Sequence, residues 1–371
     1  MIARSKCNSI AVHAALDLEG LTAVLSFAAP VSSRACLERL TWATRGSGPY
    51  VRYTAPMKRY ITASVIILTF AACGASSGRT SADARSWASI SAPVRFLTSG
   101  TDDYWPCFSP DGTRILFSRR MGVTTVWELF VVQASGGEPV RLARSSLPVS
   151  ATRANWSKEN LIAFTGVSDK AKGTLWLINA DGSGAHELNF RGLSDRLFYP
   201  SWFSDGERLA VMDAGDLSIK RLDLSKGDVV AVTNPKRIMT GMPSVSPDGK
   251  WVAFAGQENV GREYDQTKNS IWLVDSSGVL RTVESTHGQG RAPTWSPNGE
   301  WLAFESNRAS SWGLYAIFVI RPDGTELTQV TDPSLNATHP VWSPDGRQLA
   351  FSAWDNTQRA GLGIAIVNLA L

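Results

Sequence analysis

Along most of the chain, apolar and polar residues alternate one for one in short runs, the pattern of strands with a single buried face. The runs come in a fixed order. A Pro-x-aromatic step leads into a tight turn of the Ser-Pro-Asp-Gly kind, and an alternating apolar strand follows. Six copies occur: PCFSPDGTRILFS from Pro106, ANWSKENLIAFTG from Ala154, PSWFSDGERLAVM from Pro200, PSVSPDGKWVAFA from Pro243, PTWSPNGEWLAFE from Pro293 and PVWSPDGRQLAFS from Pro340. Their aromatic position holds Phe108, Trp156, Trp202, Val245, Trp295 and Trp342, so successive copies lie 48, 46, 43, 50 and 47 residues apart. Each of the first five is followed by a second pair of runs around another turn, as in LFVVQASGGEPVRLA and IFVIRPDGTELTQVT. Such pairs predict antiparallel hairpins, hence four strands per copy.

A unit with two apolar faces cannot bury them alone, so neighbours must stack, and a ring leaves no terminal unit exposed. The spacing suits a propeller blade. The predicted fold is therefore all-β: a six-bladed β-propeller of four-stranded antiparallel blades over residues 93–371. In the sixth unit the first two strands end at Phe351 and residues 363–369 read as the third, which leaves the outer strand missing. Residues 93–98, PVRFLT, have the form of the outer strands LTQVT and VVAVT, so an N-terminal strand is expected to complete the last blade. The Ser-Pro-Asp-Gly residues are turn residues: Pro presets φ, Asp bonds the backbone two residues on, and Gly accepts positive φ. Trp at the aromatic position packs between blades, and neither set is assigned any chemistry.

Charge changes the picture upstream of the repeat. The net charge is +4, but residues 1–73 hold 8 Lys/Arg against 3 Asp/Glu, while the remainder holds 29 against 30. No basic run of nucleic-acid type follows Cys73, and no nucleic-acid partner is expected. Residues 57–73, MKRYITASVIILTFAAC, start with Lys58 and Arg59 and continue in an apolar run too short to span a bilayer. The run ends in FAAC, which resembles a bacterial lipobox and implies lipidation at Cys73. Phe70 departs from the usual aliphatic residue there, and a plain secretory signal is the other reading. Residues 1–56 read as a start assigned too early or as a disordered extension, and residues 74–92, rich in Gly, Ser and Ala, as a flexible tether. The expected location is the bacterial cell envelope, exported and lipid-anchored on its periplasmic or outer surface, with the anchor as the sole membrane contact. The cysteines Cys7, Cys36, Cys73 and Cys107 show no zinc or disulfide spacing. Cys107 reads as a small buried hydrophobe.

The pattern PxWSPDGxxxAF followed by xxxDGxxxxLT resembles that of TolB-type, WD-repeat-like propellers, over residues 93–371. The resemblance implies an envelope protein that binds a protein or peptide partner. TolB carries a separate α/β domain before its propeller, whereas only residues 74–92 separate Cys73 from Pro93 here, so the Tol-Pal role is not carried over. Related propellers gate a peptidase domain or hold a metal-dependent lyase site. The first would need a whole further domain built around a nucleophile elbow. The second would need converging histidines, and after Cys73 there are only His186, His287 and His339. His186, beside Glu187, lacks the second His of a zincin helix and reads as an exposed strand residue. His287 lies in a Gly-rich connection and reads as solvated. The expectation is a non-catalytic binding protein, a monomeric propeller with no cofactor and no metal. A carbohydrate-binding or carbohydrate-cleaving propeller is the alternative, because aromatics around a polar channel also stack on sugar rings.

In a four-stranded meander the first and third turns share one face, and the long connections share the other. Those connections are 119–126, 167–173, 257–270, 306–315 and 354–363, and loops on a rigid scaffold are where binding residues gather. The innermost strand starts from that face, so the residue before each Pro position is expected to line the channel mouth: Trp105, Arg153, Tyr199, Met242, Ala292 and His339. Tyr104 and Arg291 stand one step earlier. The candidate binding residues are thus Tyr104, Trp105, Arg153, Tyr199, Met242, Arg291 and His339, an aromatic and cationic mix suited to an interaction surface. For each of them, a plug in the core is the alternative.

Overall fold

The computed structural model describes residues 88–369 apart from 91, 100–101, 123, 144–146, 148, 169–171, 262, 311 and 356–359, together with a hairpin of Ala14–Leu18 and Leu21–Leu25. The hairpin pairs Ala14 with Leu25 and Leu18 with Leu21, in a stretch where the sequence shows no repeat. It belongs to a unit of its own, Met1–Ala84. Cys73 and the expected export segment lie outside the described residues. No helix among the described residues is long and apolar enough to cross a membrane.

The remainder is the expected all-β propeller of six blades. Strands are lettered a to d from the axis outward. Blade 1 is Asp103–Phe108, Arg114–Arg120, Trp127–Gln133 and Val140–Arg141. Blade 2 is Ser150–Trp156, Leu161–Val167, Gly173–Asn179 and His186–Leu188. Blade 3 is Leu197–Trp202, Arg208–Asp213, Ser218–Asp223 and Val229–Ala231. Blade 4 is Ile238–Val245, Trp251–Glu258, Ser270–Asp275 and Leu280–Thr282. Blade 5 is Arg291–Trp295, Leu302–Ser306, Ala316–Ile320 and Thr328–Gln329. Blade 6 takes Thr338–Trp342, Gln348–Asp355 and Ala360–Asn368 from the C-terminal end and Val94–Phe96 from the start of the repeat. Val94 pairs with Val367 and Phe96 with Ala365, antiparallel, which closes the ring.

The closing segment is tied to both neighbours. Thr98 Oγ1 accepts from the Ile364 N–H (2.9 Å), and Asp102 accepts from the Gly361 N–H (3.0 Å) and from Arg120. Arg95 reaches blade 1 and donates to the carbonyls of Ala134 (2.7 Å) and Ser135 (3.1 Å). Pairing also begins earlier than Pro93. Ala88–Ser89, inside the stretch read as tether, runs parallel beside Thr328–Gln329 as a fifth strand of blade 5.

Apolar side chains gather between blades rather than around one centre. Six clusters occur, one for each pair of neighbours; that between blades 6 and 1, for example, joins Ile364 and Ile366 to Phe108, Ile115 and Phe117. The apolar residue of each strand b, Phe117, Phe164, Val211, Phe254, Phe304 and Phe351, is fully buried. In the turns, the Asp beside Pro accepts from the preceding Ser hydroxyl, as Asp248 does from Ser246 (2.7 Å) and Asp345 from Ser343 (2.6 Å). Asn298 plays the same part for Ser296 (2.7 Å), so the turn requires an acceptor and not a charge.

Candidate functional site

Strand a of every blade carries a bulge. Its register against strand b shifts between Tyr104 and Cys107, Phe198 and Ser201, Gly241 and Ser244, Arg291 and Thr294, and Thr338 and Val341, and the corresponding shift in blade 2 spans Arg153. Five of the skipped pairs end in proline, which has no N–H to offer a ladder and suits a bulge. The first residue of each pair is left-handed: Trp105 (φ 56°), Arg153 (53°), Tyr199 (57°), Met242 (56°), Ala292 (45°) and His339 (53°). These six residues, the ones that the sequence placed at the channel mouth, line one cavity of about 120 Å³. Ala292 adopts the same conformation with nothing to offer a ligand. The bulge is therefore part of the fold, and the side chains that it displays are free to vary.

Two of the released N–H groups find side-chain partners on the preceding blade. Trp105 N–H donates to Ser352 Oγ (3.2 Å), and His339 N–H to Glu305 Oε2 (2.8 Å). Two residues beyond the proline, or beyond Ala154 in blade 2, the same device recurs: Trp156 N–H donates to Cys107 Sγ (3.3 Å), Trp202 N–H to Asn155 Oδ1 (3.2 Å) and Val245 N–H to Ser201 Oγ (3.1 Å). Cys107 is thus a buried free thiol used as an acceptor, and burial pushes its pKa up to about 11.

Three groupings make up the mouth. Tyr104 and Trp105 are in ring contact with each other (5.6 Å between centroids) and both touch Trp127 (5.7 and 5.2 Å) and His339 (6.4 and 5.7 Å); Tyr104 also meets Trp354 (6.0 Å). Burial raises the Tyr104 phenol above its ordinary pKa. The Arg153 guanidinium lies over Trp105 (4.5 Å), Tyr199 (4.8 Å) and Phe198 (5.3 Å). Arg291 pairs with Glu305 (3.2 Å), which is fully buried, and donates to Tyr315 Oη (2.9 Å). His339 keeps part of its surface open but is ringed by protein. Loss of water, with Arg291 and Arg153 acting in the same sense against Glu305, lowers its pKa to about 4.

Arg291 is consequently a neutralised cation and not a free one. Met242 lines the same cavity. Sequence reasoning missed Trp127, Trp354, Glu305 and Tyr315. A signal for Glu305 was present: its position in the six strands b holds Ser118, Thr165, Met212, Ala255 and Ser352 elsewhere, and Glu is the single charge. His186 is exposed on strand d of blade 2, and His287 is exposed and paired with Glu284 (3.0 Å), both as expected. Around the mouth the connections expose Trp312 (87%), Val260 (65%) and Val126 (46%). A larger depression of about 960 Å³ lies at the turn side between blades 5 and 6, where Arg321 is held by Glu300 and Glu326 and lies over Trp301 at 4.1 Å. It lies apart from the six-fold convergence.

No family model matches the chain. A stretch of 127 residues, 33% of the chain, is 32% identical to 40% of the protein Atu1656 of Agrobacterium fabrum, and a stretch of 115 residues, 30% of the chain, is 31% identical to 16% of the peptidase YuxL of Bacillus subtilis. The matches thus span less than half of either relative. Among solved structures, a protein assigned as TolB from Agrobacterium tumefaciens superposes with a TM-score of 0.55 at 16% identity, over 75% of this chain and 97% of that one. TolB from Acinetobacter baumannii gives 0.54 at 20%, over 69% and 64%. An oligogalacturonate lyase in complex with manganese gives 0.50 at 12%, over 76% and 95%. At these identities the likeness is one of fold.

The comparisons correct one expectation. The lack of familiar motifs predicts a protein that is not an enzyme, yet a lyase shares the propeller fold, and part of a peptidase is similar in sequence. A fold does not decide its chemistry, so that exclusion does not stand. A Gly-x-Ser-x-Gly spacing also occurs, at residues 74–78, outside the described residues. Among the described residues no group of three or more His, Cys, Asp or Glu is placed to hold a metal ion.

Proposed function

We propose that the protein is a TolB-like propeller of the bacterial cell envelope whose channel mouth and loop face bind a protein or peptide partner. The observation that carries this reading is the convergence of Trp105, Arg153, Tyr199, Met242 and His339, from five different blades, on one cavity. Aromatic and Arg residues supply most hot-spot energy in protein interfaces, and Met adapts to varied shapes. Trp312, Val260 and Val126 add exposed apolar surface on the connections around it, and TolB structures share the architecture. In this reading residues 57–73 direct export, Cys73 carries the lipid, residues 74–92 tether the ring, residues 1–56 are not part of the mature protein, and the propeller acts as a monomer.

Panning a phage-displayed peptide library on the wild-type protein is expected to enrich peptides that bind Tyr199→Ala about tenfold more weakly, a loss of about 1.4 kcal/mol. Failure to enrich any peptide, or equal binding by the variant, overturns the reading. Mass spectrometry of the mature N-terminus tests the export claim: a diacylglyceryl-modified Cys73 is expected, and an unprocessed Met1 contradicts it. The second reading, a carbohydrate site, is favoured by the Trp105 and Tyr199 rings at the mouth and by the likeness to the lyase. It predicts a rise in Tm with acidic oligosaccharides, with or without manganese.

A further inference from the structure

The peptide-binding reading leaves open which group enters the mouth, and the balance of charge there selects one. The other arginines in the loop-side halves of strands a and b each have a carboxylate of their own: Arg119 has Asp103 (2.7 Å), Arg120 has Asp102, and Arg291 has Glu305 (3.2 Å). Arg153 forms no ion pair among the described residues; the one hydrogen bond of its side chain runs from Nη1 to Thr152 Oγ1 (3.0 Å). Its Nε is buried with no acceptor, and so is Nε1 of Trp105, the ring on which the guanidinium lies. Both residues line the same cavity. Arg153 therefore brings to the cavity one positive charge that no carboxylate among the described residues balances.

The rings of Trp105, Tyr199 and Phe198 hold the guanidinium in place before anything binds, which reduces the ordering cost of binding. A dianion would need a second free cation, and Arg291 is already neutralised by Glu305. The cavity of about 120 Å³ lies below the roughly 300–1,000 Å³ of sites for whole small-molecule ligands, and suits one side chain inserted from outside. We propose that the mouth takes a single carboxylate from an acidic side chain of the bound peptide, with Arg153 as its counter-ion and the Trp105 ring, on which the guanidinium lies, beside it. Specificity toward acidic peptides follows, because a charge-assisted bond to Arg is stronger than a neutral one.

The test uses the full ¹⁵N-labelled chain and follows the Trp105 indole N–H resonance, assigned through Trp105→Phe. Four probes are titrated: N-acetylglutamate α-amide, with a side-chain carboxylate alone; N-acetylglutamine, with a terminal carboxylate alone; N-acetylglutamine amide, with neither; and galacturonate, a sugar carboxylate. A saturable shift with the first probe, none with the neutral amide, and affinity reduced tenfold or more in Arg153→Gln but partly kept in Arg153→Lys is expected. An equal response to the neutral amide overturns the proposal, as does stronger binding of the terminal or sugar carboxylate, or unchanged binding in Arg153→Gln. The wild-type titrations decide the matter even if the variants fail to fold. Peptides that enrich in panning but show no dependence on an acidic residue would sink this inference and leave the peptide-binding reading standing.

Discussion

A residue before proline in a strand is normally extended, since the proline ring crowds its neighbour, yet in five blades that residue is left-handed, as is its counterpart Arg153 before Ala154 in blade 2. Each such conformation costs about 1–3 kcal/mol for a residue with a side chain, and the inter-blade bonds from Trp105 to Ser352 and from His339 to Glu305 help to hold it. His339 therefore titrates in a setting shaped by Glu305, Arg291, Arg153 and the nearby Tyr104 ring. Its folded pKa of about 4 lies below the ordinary 6.5, so between these values the unfolded chain binds the proton that the folded protein refuses. The contribution of neutral His339 to stability is complete above about pH 6.5 and is lost as pH falls toward 4. A scan of Tm against pH is expected to drop less steeply for His339→Asn than for the wild type across this window; parallel curves would mean that the folded imidazole takes up its proton freely. The turn carboxylates respond at lower pH. Asp111, held down to about 2 chiefly by the Ser109 hydroxyl, loses its contribution only as pH falls from about 4 toward 2.

At the scale of elements, most of the fully buried apolar side chains sit on strands b and c. Phe254 is fully buried against Phe203, Ile219 and Val274 between blades 3 and 4. Phe254→Ala is expected to cost about 3–5 kcal/mol in denaturant unfolding, whereas Trp312→Ala, exposed on its loop, should stay within about 0.5 kcal/mol. The seam leaves no room for an added side chain. A Cβ on Gly363, at φ +116°, would stand 2.4 Å from the Thr98 carbonyl oxygen. Gly363→Ala should therefore push the closing strand away and raise hydrogen exchange at Val94–Phe96 well above that at Phe254; unaltered protection at the seam would contradict this account.

Closure gives the whole molecule its cooperativity. Each blade shares a separate apolar cluster with each neighbour, so an open array would split one cluster, expose both of its halves and leave an edge strand unpaired. Removing the chain up to residue 101 takes away Val94–Phe96, Arg95 and Leu97 together, and with them the outer edge of blade 6 and part of its cluster with blade 1. The truncated protein is expected to unfold in a broadened transition and to self-associate in size-exclusion runs, while the intact ring unfolds in one step. A sharp transition at an unchanged Tm would show that the seam adds nothing.

Much of this was legible in the linear pattern. Period-two runs, turn residues and a recurring interval specify the blades, and the missing outer strand of the last unit points to residues 93–98, because these signals depend only on neighbours in sequence and on their count. The positions facing the mouth follow from the same register. What the pattern leaves undetermined depends on contacts between blades. The left-handed bulges, the fifth strand at Ala88–Ser89, the Glu305 carboxylate held between Arg291 and the His339 N–H, and the unpaired donors of Arg153 and Trp105 each involve partners on different blades. Trp105 and Ser352, for instance, are 247 residues apart in sequence. Local alternation specifies which face of a strand is buried. Which side chain then meets which, and which polar atom is left without a partner, is decided only when the ring closes and removes water from the seams.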